Sequence, residues 1–237
     1  MRLPFITILV SLPLLFNSCQ NSASSNEPSE NDGDDNQEIS ENTVTIKEIT
    51  IGNQTWMEEN LSVSQFQNGD VIQEVTSEEE WNRAIENEKP AWCYYDFNSK
   101  NGDLFGKIYN WYALNDSREL APEGWYIPDE NDWTTLMKEL GGSAKAGAKL
   151  KATELWAENY SDKEKGTNES GFSALPGGNY QGGFDWIHEA AIWWCKLVGD
   201  QGPAKFYILQ YGEGMETDVS WENINIGSGL YVRCIKK

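Results

Sequence analysis

Residues 120–142, LAPEGWYIPDENDWTTLMKELGG, constrain the fold more than any other stretch of the chain. Pro122 and Gly124 make a turn, Trp125, Tyr126 and Ile127 read as a short apolar strand, and Pro128 stops it. Asp129 then caps a helix, because its carboxylate can accept from backbone N–H groups two or three residues on. Inside that helix Trp133, Leu136, Met137 and Leu140 recur at i, i+3, i+4 and i+7, which makes one apolar stripe. Glu130 and Asp132 in the first turn and Lys138 near the end suit the helix dipole. Gly141 can take the left-handed conformation that closes the helix. Such a stripe has to be buried against something, so this unit demands a scaffold.

Upstream the chain falls into two parts that do not belong to the scaffold. Residues 1–18 carry one basic residue, Arg2, before an apolar run at 3–16 that is too short to span a bilayer as a mature helix. The run ends in Ser18-Cys19, which reads as a bacterial lipoprotein signal with cleavage before Cys19 and palmitate and other acyl chains on that cysteine. The alternative is an ordinary secretory signal with an incidental cysteine. Residues 19–41 hold seven acids and neither Lys nor Arg, so they cannot bury enough apolar surface to offset their ordering entropy. They are expected to be a disordered acidic tether from a membrane anchor to a single folded head at 42–237. The expected location is the bacterial cell envelope, as an outer-membrane lipoprotein exposed at the surface.

Taking Arg2 and the seven tether acids from the formal charge of −20 leaves −14 on the head. That field repels nucleic acid and anionic lipid surfaces, so neither is expected as a partner of the head. All eleven tryptophans lie in the head, and most are expected in its core. Cys93, Cys195 and Cys234 allow at most one bridge and leave one thiol over. With no CxxC, no His/Cys cluster and a single histidine, His188, no zinc site and no cofactor are expected.

Along the head, residues 43–50 read as a strand, Gly52-Asn53 as a turn and residues 54–57 as the returning arm of a hairpin. Ser77 and Glu80 form a capping box for a helix from Glu78 that Pro90 must end. Residues 92–97 (WCYYDF) read as an aromatic strand, residues 98–102 as a loop, and residues 107–114 (KIYNWYAL) as a short helix. Asp96, Asn98, Asn101 and Asp103 crowd one loop, but their spacing does not match a calcium-binding helix–loop–helix, and ordinary Asx turns are the simpler reading. Residues 144–152 form a weak helical or extended segment. Residues 190–198, 205–211 and 230–235 are strand-like. A hairpin at the start and strands at the end place the two ends of the head in one sheet.

Several of these stretches, IGNQTWMEENL, WCYYDF…GDLFGKIYNWYALND, the 120–142 unit, AGAKLKAT, NESGFSALPGG, a WW strand and a closing YVRC, resemble in order the Fibrobacter succinogenes major paralogous domain. Such domains are typical of bacterial surface lipoproteins. The resemblance implies an α+β, C-type-lectin-like fold of one loop-rich domain, with two main helices flanking antiparallel sheets. It carries no known activity. It also favours Cys93 paired with Cys234 and Cys195 left as a thiol, with Cys195–Cys234 across neighbouring strands as the competing pairing.

Function is accordingly expected to be binding rather than catalysis. Aromatic rings in glycine-bearing stretches can stack on sugars or anchor protein contacts, which makes Tyr180, Phe184, Trp186 and Trp221 the ligand-binding candidates for a glycan or protein ligand. The competing reading is that these rings pack beneath their own loops. A formylglycine-generating-type enzyme would need two reactive cysteines close together near the C-terminal end, and only Cys234 is there. No nucleophile elbow, His-centred triad or metal motif offers another route, so the chain is not expected to be an enzyme. A structural envelope component is the remaining alternative.

Overall fold

In the computed structural model of the chain, the residues described are 46–157, 166–197, 204–210 and 224–237. The expected hairpin is formed by β1 (Glu48–Ile51) and β2 (Gln54–Met57), paired antiparallel with Ile49 opposite Trp56 and Gly52 at φ 61 in the turn. After β3 (Gln73–Glu74) comes α1 (Glu78–Glu86). Ser77 caps it, its hydroxyl accepting from Glu80 N–H at 3.2 Å. The Glu80 carboxylate returns to the N–H of Thr76 at 2.7 Å, one residue earlier than a standard box requires.

Several stretches differ from the sequence reading. β4 (Ala91–Cys93) is shorter than the aromatic run, because the chain enters a 3-10 turn at Tyr95–Phe97 with Asp96 and Phe97 at φ 55 and 51. Asn98 then starts a helix, α2 (Ser99–Phe105), by accepting from Lys100 N–H at 3.2 Å, where a loop was expected. Residues 107–114 divide into β5 (Ile108–Asn110) and α3 (Trp111–Leu114). Asn110 makes the division. Its Oδ1 accepts from Ala113 N–H at 2.9 Å, capping α3, and from Ala91 N–H at 3.1 Å, while its Nδ2 donates to Lys89 O at 2.7 Å. Partners twenty residues away override the local helical period.

The 120–142 unit forms as read. β6 (Trp125–Tyr126) leads into α4 (Glu130–Glu139). Asp129 Oδ1 accepts from the N–H groups of Asn131 and Asp132 at 2.7 and 3.1 Å, and Asp132 accepts in return from Asp129 N–H at 3.0 Å. Gly141 sits at φ 94. α5 (Ser143–Leu150) follows, and then β7 (Gly177–Tyr180), β8 (Phe184–Ile187), β9 (Ala190–Cys195), β10 (Lys205–Gln210), β11 (Gly229–Leu230) and β12 (Ile235–Lys236).

The strands make two sheets, β1-β2-β12-β6 and β10-β9-β7-β11-β5-β4-β3, with β8 added on β7. Most pairs are antiparallel, and β3–β4 and β7–β9 are parallel. Residues 230–235 are not one strand. Leu230 pairs with Tyr109 in the larger sheet, while Ile235 pairs with Trp56 and Tyr126 in the smaller. Tyr231, Val232, Arg233 and Cys234 cross between the sheets fully buried. The first hairpin and last strand of the head thus share a sheet, as expected.

This architecture is α+β, with an antiparallel smaller sheet and a mixed larger one. Trp133, Leu136, Met137 and Leu140 of α4 enter a core with Trp56, Phe172, Trp193 and Tyr207. The Trp133 ring lies flat on Tyr207, centroids 4.1 Å apart and planes within 4°. A second core gathers Met57, Trp92, Tyr109, Trp194, Val232 and Cys234.

Candidate functional site

The β7–β8 hairpin owes its shape to one close approach. Gly177 pairs with Ile187 and Asn179 with Asp185, so Gly178 stands opposite Trp186. Both are left-handed, at φ 68 and 66. A Cβ on Gly178 would lie 2.2 Å from the Asp185 carbonyl oxygen, so only glycine fits there. A tryptophan at positive φ is a steric outlier that costs about 1–3 kcal/mol. Glu189 N–H to Trp186 O at 3.0 Å and His188 N–H to Pro176 O at 2.9 Å hold it in place. The ring is 46% exposed.

The other sequence candidates play different parts. Tyr180 is 1% exposed and packs against Trp81 at 4.9 Å and Phe184 at 5.0 Å, so it belongs to the core and not to a binding face. Its ring points inward because β7 is covered on that side by α1. Phe184 is half-buried between Tyr95 and Phe97, each 4.9 Å away. Trp221 lies outside the described residues, as does Cys19. Among the described candidates, Trp186 is the exposed ring. The polar loop at 96–103 is occupied with capping: Asn98 starts α2, and Asn101 Nδ2 donates to Tyr95 O at 2.9 Å.

A second concavity was not read from the sequence. A cleft of about 720 Å³ lies between residues 59–67 and the turn carrying Leu120, Pro122 and Glu123. Two buried cations stand behind its wall. Lys107, 4% exposed, donates to Ser64 Oγ at 2.5 Å and sits 3.8 Å from the centre of the Trp92 ring. Arg233, 1% exposed, donates from Nε and Nη2 to Asn60 Oδ1 at 3.2 and 3.0 Å and from Nη1 to Phe172 O, over the Phe172 ring at 4.4 Å. Trp193 Nε1 also donates to Asn60 Oδ1 at 2.7 Å, and Asn60 Nδ2 donates to Phe105 O at 2.8 Å. Burial pushes both cations below their ordinary pKa. Ser64 and Asn60 line the cleft. A basic residue inside each of the apolar runs KIYNWYAL and LYVRCI was the signal that could have marked this place.

Cys93, Cys195 and Cys234 are buried free thiols. Cys93 and Cys234, the expected pair, stand here as separate thiols, Cys93 in the first core and Cys234 in the second. Cys93 pairs with Ile108, and Leu230 with Tyr109, so Tyr231 is the residue level with Cys93, two strands away. Cys195 faces the first core and Cys234 the second, which separates the competing pair as well. Burial pushes the Cys195 thiol up to about 12 and raises those of Cys93 and Cys234 strongly.

Among the described residues, no helix is long and apolar enough to cross a membrane, and no group of three His, Cys, Asp or Glu side chains is placed to hold a metal ion. An α+β domain whose last strand closes on its first hairpin, with a buried arginine held by Asn60, is the class these features define. The chain belongs to the Fibrobacter succinogenes major domain family, whose model matches residues 49–236. No curated protein and no solved structure matches it.

Proposed function

We propose that this chain is a lipoprotein of the bacterial outer membrane, anchored through Cys19 and exposed at the surface, whose C-type-lectin-like head is a non-catalytic module binding a glycan or protein ligand. The observation that carries the reading is Trp186. A half-exposed indole held at φ 66 opposite a glycine that nothing can replace is strained without any gain in core packing, and strain of this kind gathers where a side chain must be presented. Exposed tryptophan is also the residue type that most often anchors ligands. The raised thiols support binding over cysteine chemistry, since a reactive cysteine needs a depressed pKa. Support for the lectin-like fold comes from the pairing of Ile235 with Trp56, which joins the two ends of the head.

A glycan array and a surface-protein panel, probed with the full chain and with Trp186→Ala, test the reading. Binding lost in the variant at unchanged melting temperature is the expected result. A ligand bound equally by both proteins would remove Trp186 from the site, and mass spectrometry showing an unmodified Cys19 would remove the anchor.

A further inference from the structure

We propose that the cleft beside residues 59–67 is a second ligand site, independent of the Trp186 hairpin, and that it takes a small monocarboxylate with an apolar body. Its volume, about 720 Å³, falls in the range of small-molecule sites, roughly 300–1,000 Å³. Met57, Leu61, Phe66 and Leu120 give it apolar walls, and beside Lys47, Ser62, Gln65 and Gln67 the polar side chains of Ser64 and Asn60 line it.

The choice of an anion rests on the two cations behind those polar groups. Among the described residues, no carboxylate lies within ion-pair distance of Lys107 or Arg233; they meet a hydroxyl, an amide oxygen, a backbone carbonyl and aromatic faces. Burying a cation without a counter-ion is unfavourable, and an anion brought close recovers part of that loss. Each cation reaches the cleft through one neutral side chain. Asn60 is largely engaged, because its Oδ1 accepts from Arg233 and Trp193 and one N–H of its Nδ2 donates to Phe105 O. Ser64 is not. Its Oγ accepts from Lys107, which leaves its own O–H to donate. A carboxylate in the cleft would accept that hydrogen bond with the ammonium of Lys107 directly behind it.

Surrounding charges limit the ligand to one negative charge. Glu59 at the rim is engaged with Lys47 at 2.7 Å, Glu123 also lines the cleft, and Glu58 and Glu74 act on Arg233 and Lys107 from a distance. A polyanion would meet these acids and the −14 of the head. A monoanion with an apolar body meets the walls and the Ser64 hydroxyl.

Calorimetry and thermal shift on the full chain, with benzoate and phenylacetate against benzamide and phenylacetamide, make the test, since each pair shares its shape and differs in charge. At ten times its Kd a carboxylate should raise Tm by roughly 3–5 °C, while the amides leave it unchanged. Ser64→Ala, at an exposed position, should weaken carboxylate binding about tenfold, the loss of one charge-assisted hydrogen bond, and Trp186→Ala should leave it intact. Lys107→Met should abolish it; if that variant does not fold, Ser64→Ala decides alone. No shift with either carboxylate, an equal shift with the amides, or unchanged binding in Ser64→Ala would each overturn the proposal without touching the reading of Trp186.

Discussion

Tyr180 and Trp186 lie on facing strands of one hairpin and answer to different forces. Tyr180→Ala empties a ring-sized space among Trp81, Phe97 and Phe184 and should cost about 3–5 kcal/mol. Trp186→Ala removes a half-exposed ring and should cost about 1 kcal/mol or less. Phe184→Ala falls between them, because its ring packs on Tyr95 and Phe97. Urea unfolding of the three variants ranks them; a Trp186 variant as unstable as the Tyr180 variant would mean that the indole is core. In the sequence the three rings look alike, spaced among glycines. What separates them is what packs on each ring, Trp81 of α1 on Tyr180 and the 3-10 turn on Phe184, and no local pattern carries that.

At the level of elements, helix ends were legible and the strand–helix choice at 107–114 was not. Asp129 and Asp132 satisfy each other's backbone within one turn, so the start of α4 is decided by residues that touch in sequence. Asp129→Ala should destabilise the protein by about 1 kcal/mol, and Asp129→Ser should restore most of it; equal stability of the Ala variant and the native chain would deny the cap any role. Gly178→Ala tests the hairpin in the same way. Its methyl would strike the Asp185 carbonyl, and the residue would have to hold φ 68, so a loss of about 2–4 kcal/mol is expected together with a shift in Trp186 fluorescence. Asn110 shows the opposite limit. Its side chain reads Ala91 and Lys89 as well as Ala113, so whether residues 108–110 extend or coil depends on β4 being in place.

Across the whole molecule, burial keeps an unusual number of weak acids neutral. Tyr95, Tyr109, Tyr126, Tyr180 and Tyr231, with Cys93, Cys195 and Cys234, are all raised chiefly by desolvation; Tyr126, Tyr180 and Cys195 reach about 12. Their ordinary values are 10.0 for tyrosine and 9.0 for cysteine. Above those values the unfolded chain has released protons that the folded chain still holds, so stability falls as pH rises. The contribution is complete below about pH 9 and is lost progressively toward pH 12. Lys107 and Arg233 act with the opposite sign but are fewer. Urea midpoints measured from pH 8 to pH 11 should therefore decline, with tyrosinate absorbance from the buried rings appearing only on unfolding; a flat midpoint would contradict the burial of these groups. The same burial governs the thiols. Alkylation without reductant should label Cys93, Cys195 and Cys234 after denaturation and scarcely before. A linked peptide containing Cys93 and Cys234 would show that the pair the resemblance favours is bridged.

The sequence by itself determined the hairpin at Gly52-Asn53, the starts of α1 and α4, the apolar stripe on α4 and the meeting of the two ends of the head. Each rests on contacts within a few residues or on an alternation that only one face can bury. Only the tertiary structure decided that residues 230–235 change sheets, that Tyr180 is core while Trp186 is not, and that Lys107 and Arg233 lie buried behind one cleft. The physical reason is the same in each case. A buried polar group or a strand in two sheets is stabilised by partners 40 to 170 residues away, Ser64 for Lys107 and Asn60 for Arg233, and a local pattern holds no record of what will stand opposite it.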